Sequence, residues 1–114
     1  MPHLIIEYSN SLLSDDKVGL MIERVHSSVI ETALFKRANI KIRFIPVKHF
    51  KIGDGNKTFI HSQVRIKPGR SNLQKKLLSG YVLNAIKSVN IDADVITVEI
   101  CEMDADSYNK FSKE

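Results

Sequence analysis

The sequence predicts an α+β fold in which two βαβ units form a four-stranded mixed sheet with two helices on one face. Two observations support this prediction. Short β-rich stretches flank each of two amphipathic helical segments, in the order βαβ and then βαβ again. A turn-forming stretch at residues 52–56 (IGDGN) divides the chain near its midpoint. We interpret this stretch as a linker inside a single domain that spans residues 1–114.

The first half of the chain begins with a strand and a helix. Residues 3–8 are β-rich and are followed by the turn-forming residues 9–11. Ser14 is a good helix N-cap, and the two aspartates after it suit the positive end of a helix. We therefore expect a helix from about 15 to 34, with its apolar residues on one face. These apolar residues are Val18, Met21, Ile22, Val25, Val29 and Ile30.

A second strand is predicted where apolar residues at 40, 42 and 44 alternate with Lys41 and Arg43. One face of this strand is apolar and the other is largely basic. Pro46 lacks a backbone N–H, so we expect it at the end of the strand or on an edge strand. Lys41 and Arg43 share a face and therefore point together toward an anionic ligand, an interface or solvent.

The second half repeats this order, with strands at about 58–67 and 94–102 and a helix at about 72–90. Ser71 and Gln74 have the spacing of a capping box at the start of that helix. The single cysteine, Cys101, lies in the last alternating segment and cannot form an internal disulfide. We interpret it as a buried structural thiol.

Two topologies fit this order of elements. In one, each βαβ unit keeps its strands side by side, and the two units join into one sheet. In the other, the units interlock as the split βαβ of ferredoxin-like domains. The pattern of the sequence does not choose between them.

Composition excludes several classes of protein. The chain is 43% hydrophobic and 26% charged, which is typical of a soluble domain. Its apolar runs are far shorter than the roughly 18 residues of a membrane span, and its start lacks the layout of a signal peptide, so we expect a cytoplasmic protein. The net charge of +4 is spread along the chain and favours a solvated basic surface over a nucleic-acid site.

Pro2 is the first candidate for chemistry because it directly follows Met1. Removal of Met1 would leave the proline nitrogen as a free secondary amine. A free α-amino group has a pKa of about 7.7 to 8.0, and burial or neighbouring cations lower it. Such an amine is a suitable general base near neutral pH. On position alone, however, a proline that simply begins a strand is the more common case.

The turn KPGRS at residues 67–71 is the second candidate. It brings Arg70 to the N-terminus of the second helix, where free backbone N–H groups and the helix dipole attract anions. A guanidinium there could bind a carboxylate through two parallel hydrogen bonds. An exposed turn arginine without a ligand is the alternative.

Other chemistries have less support in the sequence. The four histidines show no metal-ligand spacing, and one cysteine cannot build a zinc site. We find no phosphate-binding glycine loop, no nucleophile elbow and no RNA-binding aromatic pattern. We therefore expect neither a metal nor a cofactor.

Three segments together resemble the 5-carboxymethyl-2-hydroxymuconate isomerases, a branch of the tautomerase superfamily. They are the start MPHLIIEYS, the central RFIPVKHFKIGDG and the turn VRIKPGRS. They occur in the order and spacing of that family, and the resemblance runs from Pro2 to about Glu102. It implies a tautomerase-like fold and a cofactor-free isomerisation, in which a dienol carrying carboxylates becomes its conjugated keto form during homoprotocatechuate degradation.

The same resemblance implies roles for individual residues. Pro2 would be the acid/base catalyst, and Arg70 would bind the anionic substrate. The position of another family arginine holds Lys41 here, which keeps the charge but loses the planar two-pronged donor. Arg43 matches an arginine of the family pattern and would either compensate or pair at an interface. The implied partners are a small carboxylate-bearing enol and further copies of the chain in a homotrimer, with no nucleic acid and no membrane.

Two other functions stay open. The change to Lys41 is compatible with a tautomerase of another enol, such as phenylpyruvate. The basic strand face also suits a noncatalytic βαβ-repeat module that binds partners, and a Pro2 nitrogen that stays buried or blocked would indicate that module.

Overall fold

The computed structural model describes residues 1–113 and contains one four-stranded sheet and two α-helices. No helix in the described residues is long and apolar enough to cross a membrane. A short 3-10 helix, Arg37–Asn39, precedes the second strand. In chain order the main elements are β1 (His3–Ser9), α1 (Asp15–Glu31), β2 (Lys41–Val47), β3 (Phe59–Ile66), α2 (Asn72–Lys87) and β4 (Val95–Glu102).

The strand order in the sheet is β2-β1-β3-β4. β1 pairs with β2 in parallel, β3 pairs with β4 in parallel, and the two central strands, β1 and β3, are antiparallel. Each βαβ unit therefore keeps its own strands side by side. The sheet confirms the tautomerase-like arrangement and excludes the interlocked one.

Both helices cover the same face of the sheet. Alternate strand residues such as Leu4, Ile6 and Val64 are fully buried against this helical layer. The helices contribute an equally buried stripe, and each such side chain stabilises the fold by roughly 1.5 to 3 kcal/mol. The fully buried helical residues are Met21, Val25, Val29, Leu78, Val82 and Ile86.

Local signals set the helix ends. Ser14 accepts a hydrogen bond from the backbone of Lys17, and the capping box at the start of α2 is formed. The predicted extension of α1 to residue 34 is wrong, because the helix ends at Glu31 and Ala33 adopts a left-handed φ of 58°. Likewise α2 ends at Lys87 and not at residue 90.

The other face of the sheet, which we call the open face, carries the odd-numbered strand residues. Lys41 and Arg43 lie there as predicted, beside β1. Pro46 lies inside β2, which is tolerated because β2 is an edge strand. The expectation of a buried thiol is wrong: Cys101 is only partly buried, because β4 alternates and places it on the open face.

Candidate active site

Pro2 lies at the start of the parallel pair β1 and β2. The backbone N–H of Lys41 donates a hydrogen bond to the Pro2 carbonyl at 3.0 Å, and Lys41 is the register partner of His3. Pro2 itself is fully buried, with Met1 attached to its nitrogen as an amide. The sheet therefore places Pro2 beside the basic edge of β2.

A cleft of about 380 Å³ opens at Met1, the residue that covers the Pro2 nitrogen. Its walls come from distant parts of the chain: the N-terminus, the segment before β2, the turn after β3 and the C-terminal tail. The lining residues are Met1, Asn39, Lys67, Tyr108 and Lys110. With two lysines in its lining, the cleft is suited to an anionic ligand.

The electrostatic field at the cleft favours an uncharged amine. Burial first, and then the positive charges of Lys41, Lys110 and Lys67, lower the pKa of the Met1 amino group from its ordinary value. A cation disfavours a second positive charge nearby, and burial disfavours any charge. From the sequence, Lys41 and Lys67 are expected to lower the pKa of a free Pro2 amine, and that expectation stays a prediction because the charges here act on the amine of Met1.

His3 connects the strand pair to the C-terminal tail. Its Nδ1 lies 3.4 Å from a guanidinium nitrogen of Arg43, and its Nε2 lies 3.1 Å from the Tyr108 hydroxyl. Burial, followed by the charges of Lys41 and Arg43, lowers the pKa of the His3 imidazole. The Tyr108 ring also meets the Lys67 ammonium, which lies 5.5 Å from the ring centroid.

Arg70 is held in a different way from the other predicted residues. It follows Gly69, whose φ of 121° is rarely accessible to other residues and shapes the turn. The Arg70 guanidinium donates to the Leu34 carbonyl at 2.5 Å and lies 5.0 Å from the centroid of the Phe35 ring. In this structure Arg70 therefore stabilises the segment after α1, and it is not among the residues that line the cleft.

The structure thus places Pro2, Lys41 and Arg43 on the neighbouring strands β1 and β2 or directly before them, and none of these three nor Arg70 is among the residues that line the cleft. Sequence reasoning missed Tyr108 and Lys110, because no periodic pattern follows β4. At the end of β4 the Met103 N–H donates to the Ile66 carbonyl at 2.7 Å, and the turn that follows is closed by the Tyr108 N–H, which donates to the Asp104 carbonyl at 3.2 Å. His3 had a weak signal, since it stands next to Pro2 in the segment that carries the family resemblance.

Other parts of the molecule offer less chemistry. A larger groove of about 630 Å³ lies on α2, but its lining is mostly apolar and Lys76 is its only charged residue. No group of three histidines, cysteines or acidic residues among residues 1–113 could hold a metal ion. The cleft at Met1 is therefore the better candidate for the active site.

Several solved structures share this fold. A 5-carboxymethyl-2-hydroxymuconate delta-isomerase has a TM-score of 0.84 at 21% identity, covering 98% of this chain and 89% of its own. The malonate semialdehyde decarboxylase FG41, inhibited by 3-bromopropiolate, has a TM-score of 0.72 at 14% identity over 97% and 90%. A symmetric trimer of fused 4-OT has a TM-score of 0.76 at 10% identity over 89% and 86%.

These likenesses show a tautomerase fold. The family model of 5-carboxymethyl-2-hydroxymuconate isomerase matches residues 2–109. The chain belongs to that family and is an isomerase of the tautomerase superfamily. A search of curated protein sequences gave no significant match.

Proposed function

We propose that this isomerase converts a carboxylate-bearing dienol of the 5-carboxymethyl-2-hydroxymuconate type into its conjugated keto form. The acid/base catalyst would be the Pro2 nitrogen, freed by removal of Met1. The observation that carries this proposal is the cationic cleft at the N-terminus, where burial and three lysines lower the pKa of the terminal amine. Pro2 is the next residue inward and shares these surroundings.

The reaction needs only a proton carrier. The lone pair of the Pro2 nitrogen takes the proton of the 2-hydroxyl group, and the O–H electron pair forms the carbonyl. The conjugated double bonds shift, and the terminal carbon of the diene takes the proton back from the prolinium nitrogen. The product is an isomer, so no oxidant, reductant or cofactor enters the balance.

Cations around the cleft would hold the carboxylates. Lys41 lies on the strand beside Pro2, and its ammonium donates to the Asn39 carbonyl at 3.2 Å, next to the cleft lining. Lys67 and Lys110 line the cleft itself. Arg70 lies outside the cleft lining, with one of its five donors on the Leu34 carbonyl, and the family resemblance gives it the role of binding a substrate carboxylate through its other donors.

The decisive comparison is between two forms of the same protein. Processed protein that begins at Pro2, and protein in which Met1 is retained, should both be assayed for ketonisation of a 2-hydroxymuconate-type dienol. We expect the retained Met1 to lower the rate by about 10² to 10⁴, the usual share of general acid/base catalysis, because an amide nitrogen accepts no proton.

Intact mass defines the N-terminus of each sample, and circular dichroism controls for folding. Pro2→Ala is a milder control, because alanine leaves a primary amine and should retain partial activity. Equal rates for the processed and the Met1-bearing protein would remove Pro2 from the mechanism. The noncatalytic module would then be the better interpretation.

We further propose that the enzyme is a homotrimer in which the open face meets neighbouring copies. Ile45 is 40% exposed there, beside the basic residues of β2, and a single subunit leaves it uncovered. The similarity to a trimeric fused 4-OT supports the same assembly. Light scattering in dilute buffer should give three times the mass of the chain, and a monodisperse monomer at micromolar concentration would contradict it.

Lys41 favours one alternative substrate class. An ammonium makes no bidentate contact with a carboxylate, so an enol with a single carboxylate, such as enol-phenylpyruvate, is the second candidate. Comparing kcat/KM for the two enols in the wild type and in Lys41→Arg separates them. If Lys41 determines the substrate preference, Lys41→Arg should raise kcat/KM for the muconate-type dienol relative to that for enol-phenylpyruvate.

A further inference from the structure

A series of hydrogen bonds joins three parts of the chain and ends at the cleft. Arg43 of β2 lies 3.4 Å from His3 Nδ1, and His3 Nε2 lies 3.1 Å from the Tyr108 hydroxyl. Tyr108 lines the cleft beside Met1. The series thus runs from the open face of the sheet to the place where a substrate would bind.

The chemistry of arginine sets the direction of this series. A guanidinium has only donors, so the His3 Nδ1 that faces Arg43 must accept. In a neutral imidazole the proton is then on Nε2, which donates to the Tyr108 oxygen. The Tyr108 hydroxyl proton is not used by His3 and is available for a ligand in the cleft.

The surroundings of His3 keep the imidazole neutral. Burial and then the positive charges of Lys41, Arg43, the chain's N-terminus and Arg65 all lower its pKa. A protonated His3 would turn an N–H toward the N–H groups of Arg43, which the geometry opposes. The donor role of Nε2 toward Tyr108 therefore holds near neutral pH.

From this geometry we propose that Tyr108 is a catalytic residue that donates a hydrogen bond to the 2-oxygen of the substrate, with His3 and Arg43 as positioning residues. This role rests on the function proposed above. When the hydroxyl proton passes to Pro2, the 2-oxygen carries negative charge until the carbonyl forms. The Tyr108 O–H stabilises that charge and keeps its own proton, so the balance of the reaction is unchanged.

Tyr108→Phe tests this contact with little change in packing. Phenylalanine keeps the ring against Lys67 and the edge contact with His3, whose ring centroid lies 6.1 Å away. Losing one donor to a developing oxyanion should lower kcat by about 10²- to 10³-fold. Tyr81→Phe, which removes a phenol from the groove between the helices, is the matched control and should keep the wild-type kcat.

A ligand without the 2-oxygen separates catalysis from general binding. cis,cis-Muconate carries two carboxylates but no 2-hydroxyl, so Tyr108→Phe should bind it within about twofold of the wild type. A matching loss of muconate affinity would show that Tyr108 only shapes the cleft. An unchanged kcat in Tyr108→Phe would overturn the catalytic role.

The donor and acceptor roles in this series of hydrogen bonds can be measured without a substrate. Nitrogen-15 NMR of the wild type should show His3 with a protonated Nε2 and an unprotonated Nδ1, and Arg43→Met should give a mixture of tautomers. A protonated Nδ1 in the wild type would overturn this inference and leave the proposed function untouched. A processed wild type without isomerase activity would overturn the proposed function, and this role with it.

Discussion

The two βαβ units contain the same backbone hydrogen bond but differ in the side chains around it. In each unit the residue just before the first strand accepts this bond from the start of the second strand, and we call this place the corner of the unit. In the first unit the Lys41 N–H donates to the Pro2 carbonyl at 3.0 Å, and in the second the Val95 N–H donates to the Thr58 carbonyl at 3.1 Å. Pro2 and Thr58 therefore occupy equivalent places, each just before the first strand of its unit.

The side chains around these corners differ in charge and in hydrogen bonding. At the second corner the Asp94 carboxylate accepts from the Thr58 N–H at 2.8 Å and from its hydroxyl at 3.2 Å, so the corner is closed by its own residues. At the first corner cations surround the chain's N-terminus, and a cleft opens beside it. The comparison teaches that the same backbone geometry occurs at both corners. The charges of the nearby side chains decide whether a corner is closed by internal hydrogen bonds or is open to a ligand.

The largest effect should come from removing the cation nearest the first corner. Lys41→Met should raise the pKa of the Pro2 amine, because a cation that opposed protonation is lost. The acid limb of the kcat/KM profile should then move to higher pH, since the amine must be neutral to accept a proton. Below that pKa each pH unit costs about tenfold in rate. The profile is measured against Lys48→Met, whose lysine lies beyond the far end of β2.

If the acid limb of the kcat/KM profile does not move in Lys41→Met, the charge of Lys41 does not lower the pKa of the Pro2 amine. Lys41→Arg keeps the charge and should keep the limb where the wild type has it.

Arg70 should show a smaller and mixed effect. A charge-assisted hydrogen bond is worth roughly 1.5 to 3 kcal/mol, so Arg70→Ala should raise KM about tenfold or more for a carboxylate-bearing enol. The same change removes the donor to the Leu34 carbonyl and the contact with Phe35, so Tm should fall as well. A lower Tm with an unchanged KM would restrict Arg70 to a structural role.

Opening the second corner should affect stability and not activity. Asp94→Ala leaves the Thr58 N–H and hydroxyl without their acceptor, which should cost about 1 kcal/mol. That corresponds to about 4 °C in Tm for a domain of this size. Asp92→Ala, in the same exposed loop, is the control in the thermal melt. A fall in kcat for Asp94→Ala would mean that the two corners are not independent.

The smallest expected effect compares the residues that follow the two helices. Ala33 and Asn90 both adopt a left-handed φ of 58°. This conformation costs alanine roughly 1 to 2 kcal/mol, whereas asparagine adopts it more readily. Glycine removes this strain but also raises the entropy of the unfolded chain, so the net stabilisation by Ala33→Gly should be about 0.5 kcal/mol. Asn90→Gly should gain less in the same denaturant titration.

Much of the fold could be predicted because its signals are local. Ser71 and Gln74 form a capping box within one helical turn, and alternation along β2 places Lys41 and Arg43 on one face. The resemblance of three segments also indicated the family that the match over residues 2–109 now shows. Helix ends were less predictable, since the apolar stripe continues past Glu31 while a left-handed residue ends the helix.

The tertiary structure decided the rest. The order of elements allowed two topologies, and only strand pairing placed β1 beside both β2 and β3. Contacts between distant residues are invisible to periodicity: His3 and Tyr108 meet across 105 positions, and Arg70 meets the carbonyl of Leu34 across 36. The local spacing of residues determines the face of a helix or strand on which a side chain lies. The residues that this side chain contacts depend on how distant parts of the chain pack together in the fold.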